Sequence, residues 1–397
     1  MTGRDPKTSA SRVYIEDISV PFSYPVYFTR GAFEPENPIV AETARPATSG
    51  PARVLAYLDA GLVAAHPALP DAVAAYAAGH PERMALLAEP RVLPGGERAK
   101  ADWAVANQVL DEIVAHRLDR HSYVLAVGGG AMLDAVGFAA SLVHRGVRLI
   151  RLPSTTLSQD DGGVGVKTGI NLGDTKNLLG TFAPPFAVIN DLALLPTLPR
   201  DVMLDGVAEA FKVAIIKDAD FFDFLAENAE ALATGRQDAV EEAVRRSAAL
   251  HLEHIREGAD PFEMGDARPL DFGHWSAHRL EGLSGYAIRH GQGVAIGVAL
   301  DSHYAWRQGL ISRTALDRII KALLRSGLPV WHPLLAERDE QGRLLVLEGL
   351  EQFREHLGGA LCVTLPDGIG RRVEVHQMDT AIIEEGIRFL QQHGAES

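Results

Sequence analysis

The sequence predicts an α/β fold, a parallel sheet in the first half followed by an all-α second half. Two observations carry this. Between Arg53 and Ile189 short apolar runs alternate with amphipathic stretches, the pattern of strand–helix–strand units. After about Arg200 the β-branched runs fade and helical periodicity takes over. A chain of 397 residues has room for two ordinary domains. The expected divisions are a flexible tail over 1–12, a Rossmann-like α/β domain over 13–200 and a helical domain over 201–397.

The first twelve residues, rich in Ser, Thr and charge, read as a frayed tail. Val13–Tyr27 alternates loosely and predicts edge strands. Val54–Leu58, Met84–Leu87, Val124–Val127, Val147–Leu152 and Ala187–Ile189 each read as a buried strand bounded by turn residues. Trp103, Ala106, Leu110, Ile113 and Val114 recur at helical spacing ahead of Val124. In the second half, helices are expected over Val202–Leu225, Ala239–Glu257, His274–Leu283, Val294–Gln308 and Thr314–Ser326.

Composition narrows the function. Hydrophobic residues make up 47% and charged residues 23%, an ordinary globular balance. A net charge of −14 argues against nucleic acid or an anionic membrane as partner. No run approaches the ~18 apolar residues that span a bilayer, and the N-terminus lacks the apolar stretch of a secretory signal. The single cysteine, Cys362, excludes an internal disulfide and suits a reducing cytoplasm.

Gly128-Gly129-Gly130 follows an apolar strand and precedes a helix containing Asp134. Glycines there let backbone approach a pyrophosphate, and the helix N-terminus supplies N–H donors. A tight strand-to-helix turn explains a lone triplet equally well, as it does Pro94-Gly95-Gly96-Glu97 with Lys100. The segment Leu152–Gly180 is denser, with Ser154, Thr155, Thr156, Asp160, Asp161, Lys167, Lys176 and Asn177 in one loop-rich stretch. Hydroxyls, glycines and lysines after a parallel strand suit a phosphorylated ligand better than a solvated surface loop. Glu209 and Lys212 sit one turn apart on a helix, and an exposed ion pair is the plainer reading of that spacing. His274 and His278 share a helical face, and His290 adds a third imidazole. Two histidines and a carboxylate from separate helices make a Zn²⁺ set with open positions; spacing alone leaves the choice open.

Taken in order, PGGERAK, GGGAMLDAVGF, LPSTTLSQDDGGVGVKTG, TKNLLGTF, LPTLP, GVAEAFK, LDFGHWSAH and RHGQGVAIG resemble the 3-dehydroquinate synthase family of sugar-phosphate cyclases. The match runs from about Arg53 to Leu300. The resemblance implies an NAD-binding α/β domain, a helical metal-binding domain, a homodimer and a cleft active site. By matching position, Asp59, Glu97, Lys100, Gly129, Gly130, Asp134, Thr155, Thr156, Lys176 and Thr197 would contact NAD. Glu209, His274 and His290 would hold the metal, Zn²⁺ or Co²⁺. Asp161, Lys167, Asn177, Lys212, Asp271 and His278 would line the substrate pocket, with Arg145 entering from the partner subunit. The implied reaction borrows a hydride, eliminates phosphate, returns the hydride and closes a carbocycle by an aldol step.

Departures point to the substrate. Members acting on the carboxylated heptulosonate carry a Lys, an Arg and an Asn where the ungapped match here gives Glu253, Ala267 and Asp271, with Arg268 one residue late. The C-terminal Phe353–Gly359 holds no Lys. Such losses resemble the sedoheptulose 7-phosphate cyclases that make valiolone-type cyclitols, although His278 is kept where their best-known members replace it. The expected substrate is therefore sedoheptulose 7-phosphate, with the carboxylated heptulosonate as the alternative. A metal-dependent polyol dehydrogenase is the rival from another class, and the lysines at 167, 176 and 212 argue for a phosphate ester instead.

Overall fold

The computed structural model describes residues 13–46, 50–173, 175–257, 262, 269–356 and 359–394. The expected tail, 1–12, and the Ala267–Arg268 pair lie outside the described residues.

Among the described residues nine strands run through the first half: β1 (Val26–Thr29), β2 (Ala52–Asp59), β3 (Met84–Leu86), β4 (Arg91–Leu93), β5 (Tyr123–Gly128), β6 (Arg148–Pro153), β7 (Lys167–Leu172), β8 (Thr175–Phe182) and β9 (Ala187–Asp191). Seven of them form one parallel sheet, ordered β1-β9-β6-β5-β2-β3 with β4 also on β2. Alternation across the strands feeds two cores. Leu55, Tyr57, Val124 and Ala126 enter one, while Val54, Ala56, Leu58, Leu125 and Val127 enter the other. A sheet buried on both faces explains why its strands read as unbroken apolar runs.

Two first-half expectations change. Of Val13–Tyr27 only the last residues join a strand; Pro21 and Pro25 remove ladder donors, and Val13, Ile15, Ile18, Val20 and Phe22 remain exposed. The loop-rich Leu152–Gly180 contains a helical turn, Ser158–Gly162, and the antiparallel hairpin β7–β8.

The second half is helical as expected, around its own core. The run predicted over Val202–Leu225 is two helices, Arg200–Lys217 and Ala219–Glu227, because Asp218 caps the second by accepting from Phe221 N at 2.8 Å. Helices Gln237–Glu257, His274–Leu283, His290–Arg307, Arg313–Arg325 and Thr380–Gly394 follow. A short antiparallel ribbon, β10 (Val363–Pro366) and β11 (Arg372–Val375), interrupts them. The Arg200–Lys217 helix is buried from Met203 to Ile216, Asp205, Glu209 and Lys212 included. Buried charges need partners, and finding them locates the site.

Candidate active site

The strand order reverses between β2 and β5, so their carboxyl ends form the switch-point crevice where α/β sheets take ligands. Asp59 ends β2 and caps the next helix, accepting from Gly61 N at 2.7 Å. Gly128 and Gly95 border it; a Cβ at Gly95 would lie 2.3 Å from Asp59 Oδ1, and one at Gly128 2.6 Å from Asp59 Cβ. Gly129 caps the helix Gly130–Leu142, whose first N–H groups face this bare floor. Lys100 donates to Asp134 at 3.2 Å and to Asn177 at 2.9 Å, tying the crevice to the β7–β8 hairpin. Arg151, fully buried, donates to the carbonyls of Gly165 and Lys167 and so fixes the approach to that hairpin.

Three helices bring Glu209, His274 and His290 together, with one ligand atom of each within 4.8 Å of the others. The outer nitrogen of each imidazole is engaged: His274 Nδ1 with the Phe272 carbonyl at 3.1 Å, His290 Nδ1 with Glu281 at 2.7 Å. The inner Nε2 atoms then converge on Glu209 Oε1, at 3.6 Å from His274 and 3.2 Å from His290. Outer partners that orient imidazoles toward a shared carboxylate are the arrangement of a metal centre. His278, Glu281 and His290 form a second close set, but Glu281 is engaged by Lys176 at 2.5 Å and by His290. The first set fits a divalent cation better. Burial opposes charge on His290, yet hydrogen bonds to Glu209 and Glu281 raise its pKa to about 10. A bound cation would take that proton's place.

Packing fixes these helices. A Cβ at Gly291 would lie 2.3 Å from Asp205 Cα, so the start of the His290 helix sits directly on the Glu209 helix. Asp301, fully buried, accepts from Trp275 Nε1 at 2.8 Å and Gly273 N at 3.1 Å, on either side of His274.

Beside the triad, Glu209 and Lys212 pair at 2.5 Å with both side chains buried, so the pair is not the exposed one that spacing suggested. Burial opposes the Lys212 charge, but Glu209 and Asp161 outweigh it and hold its pKa high. Burial likewise opposes ionisation of Asp161, which Lys212 and His251 nevertheless hold well below the usual carboxylate range. Asp160, buried with neither carboxylate oxygen partnered among the described residues, is pushed well up by burial and by the charges of Asp161 and Glu209. His278 stands with its ring 5.2 Å from that of His274.

The Thr156 hydroxyl donates to the Met203 carbonyl at 2.9 Å and is fully buried, so it serves the junction between the halves. Thr197 donates to Leu194 O and meets His66. Arg145 is exposed on the turn after the helix Gly130–Leu142. That helix begins at the crevice and runs about 20 Å to the opposite sheet edge.

The 3-dehydroquinate synthase N-terminal model matches residues 91–205, and the 3-dehydroquinate synthase C-terminal model matches 206–344. The chain belongs to the 3-dehydroquinate synthase family. It is similar to a 2-epi-5-epi-valiolone synthase of Streptomyces glaucescens, 35% identical over 90% of this chain and 87% of that protein. It is also similar to a 3-dehydroquinate synthase of Paracoccus denitrificans (strain Pd 1222), 35% identical over 85% of this chain and 90% of that one. Among solved structures, the 2-epi-5-epi-valiolone synthase of Streptomyces hygroscopicus subsp. jinggangensis 5008, with NAD⁺ and Zn²⁺ bound, superposes with a TM-score of 0.84. It is 31% identical, covering 96% of this chain and all of that one.

In this member of the 3-dehydroquinate synthase family, three groups at the site escaped the sequence reading: Glu281 and Asp301, both buried, and His251, partly buried. Glu281 lies seven residues after His274, two helical turns along the same face, and that spacing was the one available signal. Nothing in the sequence announces the other two.

Proposed function

We propose that the chain is a sugar-phosphate cyclase, a carbon–oxygen lyase converting sedoheptulose 7-phosphate to a valiolone-type carbocycle. The observation that carries this is the Glu209–His274–His290 set beside buried Lys212, joined through Glu281, Lys176 and Glu97 to the glycine-lined crevice. NAD, which Asp59, Glu97, Lys100, Gly129, Gly130, Asp134, Thr155, Thr156, Lys176 and Thr197 would hold, would supply a temporary hydride acceptor, and Zn²⁺ or Co²⁺, which Glu209, His274 and His290 would hold, a Lewis acid. Lys212 keeps its charge and offers its remaining N–H donors to substrate oxygens. Lys167 and Asn177 from the hairpin, with His278, bind the phosphate. Asp161 and Asp271 accept from sugar hydroxyls, and Asp271, a carboxylate where members acting on the carboxylated sugar carry Asn, disfavours a carboxylated substrate through like-charge repulsion.

The same reading places the cofactor in 13–200 and the metal in 201–397, with the substrate pocket drawn from both. It also includes a cytoplasmic homodimer. Arg145, at the sheet edge away from its own crevice, supports a role in a partner's site, and the exposed apolar row from Val13 to Phe22 supports association. No described helix is long and apolar enough to cross a membrane.

The test is incubation with NAD⁺, Zn²⁺ and either sedoheptulose 7-phosphate or the carboxylated heptulosonate 7-phosphate. Phosphate should appear faster from the neutral sugar, with no net NADH. NADH accumulating in step with product would identify a dehydrogenase instead.

A further inference from the structure

The helix Gln237–Glu257 crosses the site and places two polar side chains there, Ser247 and His251. With Asp160, Asp161, Glu209 and Lys212 they line a small cavity next to the metal-fit set. Glu253, two residues beyond His251, interacts instead with Lys217 at the far end of the Glu209 helix. Two residues of helix amount to about 200° of rotation, so His251 and Glu253 face opposite ways. Beside Ser247, the group this helix turns to the site is therefore an imidazole, not the Glu253 carboxylate.

Two features define what that imidazole can bind. His251 Nδ1 lies 2.9 Å from Asp161 Oδ1, which anchors one side of the ring from the other half of the chain. Its Nε2 makes no hydrogen bond among the described residues and sits beside Gly165, where a Cβ would approach it to 3.4 Å. When Nδ1–H is given to a carboxylate, Nε2 of the neutral ring carries a lone pair and accepts. The surrounding wall carries the carboxylates of Asp161 and Glu209, and its one cation among the described residues, Lys212, is already engaged by both of them. A group that meets Nε2 must therefore donate. A hydroxyl donates; a carboxylate brings only acceptors and charge, and is rejected.

We infer that His251 is a specificity-determining residue, its Nε2 accepting a hydrogen bond from a hydroxyl of the sugar phosphate while Asp161 fixes the tautomer that makes it an acceptor. This rests on the reading of the site as one for a sugar phosphate.

The test compares the full chain, loaded with NAD⁺ and Zn²⁺, with His251→Ala, His251→Gln and His251→Lys, measuring phosphate release from sedoheptulose 7-phosphate and from heptulosonate 7-phosphate. Bound zinc is measured in each variant. Losing the acceptor should lower kcat/KM for the neutral sugar about tenfold, mostly through KM. The carboxylated sugar should change by less than about twofold, so the preference ratio shrinks. His251→Gln, which retains an acceptor, should recover part of the ratio, and His251→Lys, a donor only, should move it toward the carboxylated sugar. Equal losses on both sugars would mean that His251 only supports Asp161, and an unchanged ratio or a parental preference for the carboxylated sugar would also overturn the inference. Turnover of neither sugar by the parent chain would sink the sugar-phosphate reading and this inference with it, whereas turnover with an unmoved ratio sinks the inference alone.

Discussion

At the scale of single residues, the candidate metal centre is defined by what holds each imidazole from behind. Glu281 reaches both His290 Nδ1 and Lys176, so Glu281→Gln should weaken zinc binding by about ten- to a hundredfold while the fold persists. Chelator competition reads this directly; unchanged affinity would show that the contact is incidental. Replacing Glu209, His274 or His290 by Ala should abolish tight binding outright, whereas His278→Ala should keep the metal and slow turnover. The sequence made much of this legible, because Glu209 and Lys212 share a face by spacing and the three histidines cluster in its last third. Burial was not legible. The same i,i+3 pair is trivial on a surface and dominant in a core, and only the packing of distant helices decides which. His251 was invisible for a related reason, since its partner Asp161 belongs to the other half of the chain.

At the scale of elements, the contact that sets the separation of His274 from His290 is a crossing of two glycines. A Cβ at Gly297 would lie 1.9 Å from the Gly273 carbonyl oxygen, and Gly273 itself has φ +79. Backbone meets backbone there, with Asp301 clamping Gly273 and Trp275 alongside. Gly297→Ala should force the helices apart, costing about 1–3 kcal/mol and loosening zinc binding together. A lowered melting temperature with unaltered zinc affinity would separate the two effects and refute the link. Long elements were readable because their period repeats enough to be recognised; the helix expected over His274–Leu283 has those bounds. Short ones were not. The four-residue strands β10 and β11 show too little alternation to register, and glycines and lysines made the β7–β8 hairpin read as loop.

At the scale of the whole molecule, one group away from the site should make stability depend on pH. His303 is buried between the His290 and Thr380–Gly394 helices, near Trp306 and Phe389, with neither ring nitrogen hydrogen-bonded among the described residues. Burial, then the charges of Arg307 and Arg313, lower its pKa from 6.5 to about 4. The unfolded chain takes up this proton near 6.5 and the folded one only near 4, so folding stability falls as pH drops through that window. The slope is up to about 1.4 kcal/mol per pH unit. His303→Phe should flatten this part of the stability profile in denaturant titrations at several pH values; an unchanged profile would assign the sensitivity to other groups.

The pairing of β1 with β9 sets Val26 beside Val188, and Tyr24 reaches the Val164 carbonyl at 2.9 Å. Synthesis proceeds from the N-terminus, so β1 leaves the ribosome well before its neighbour β9 and waits until most of the sheet has followed it. During that interval its ladder groups and the apolar residues ahead of it are open to other chains. Loop-closure entropy makes such a distant pairing slow as well as late. A strand made before most of the sheet is therefore among the last to acquire its place, and the sheet is most open to aggregation before β9 has been made.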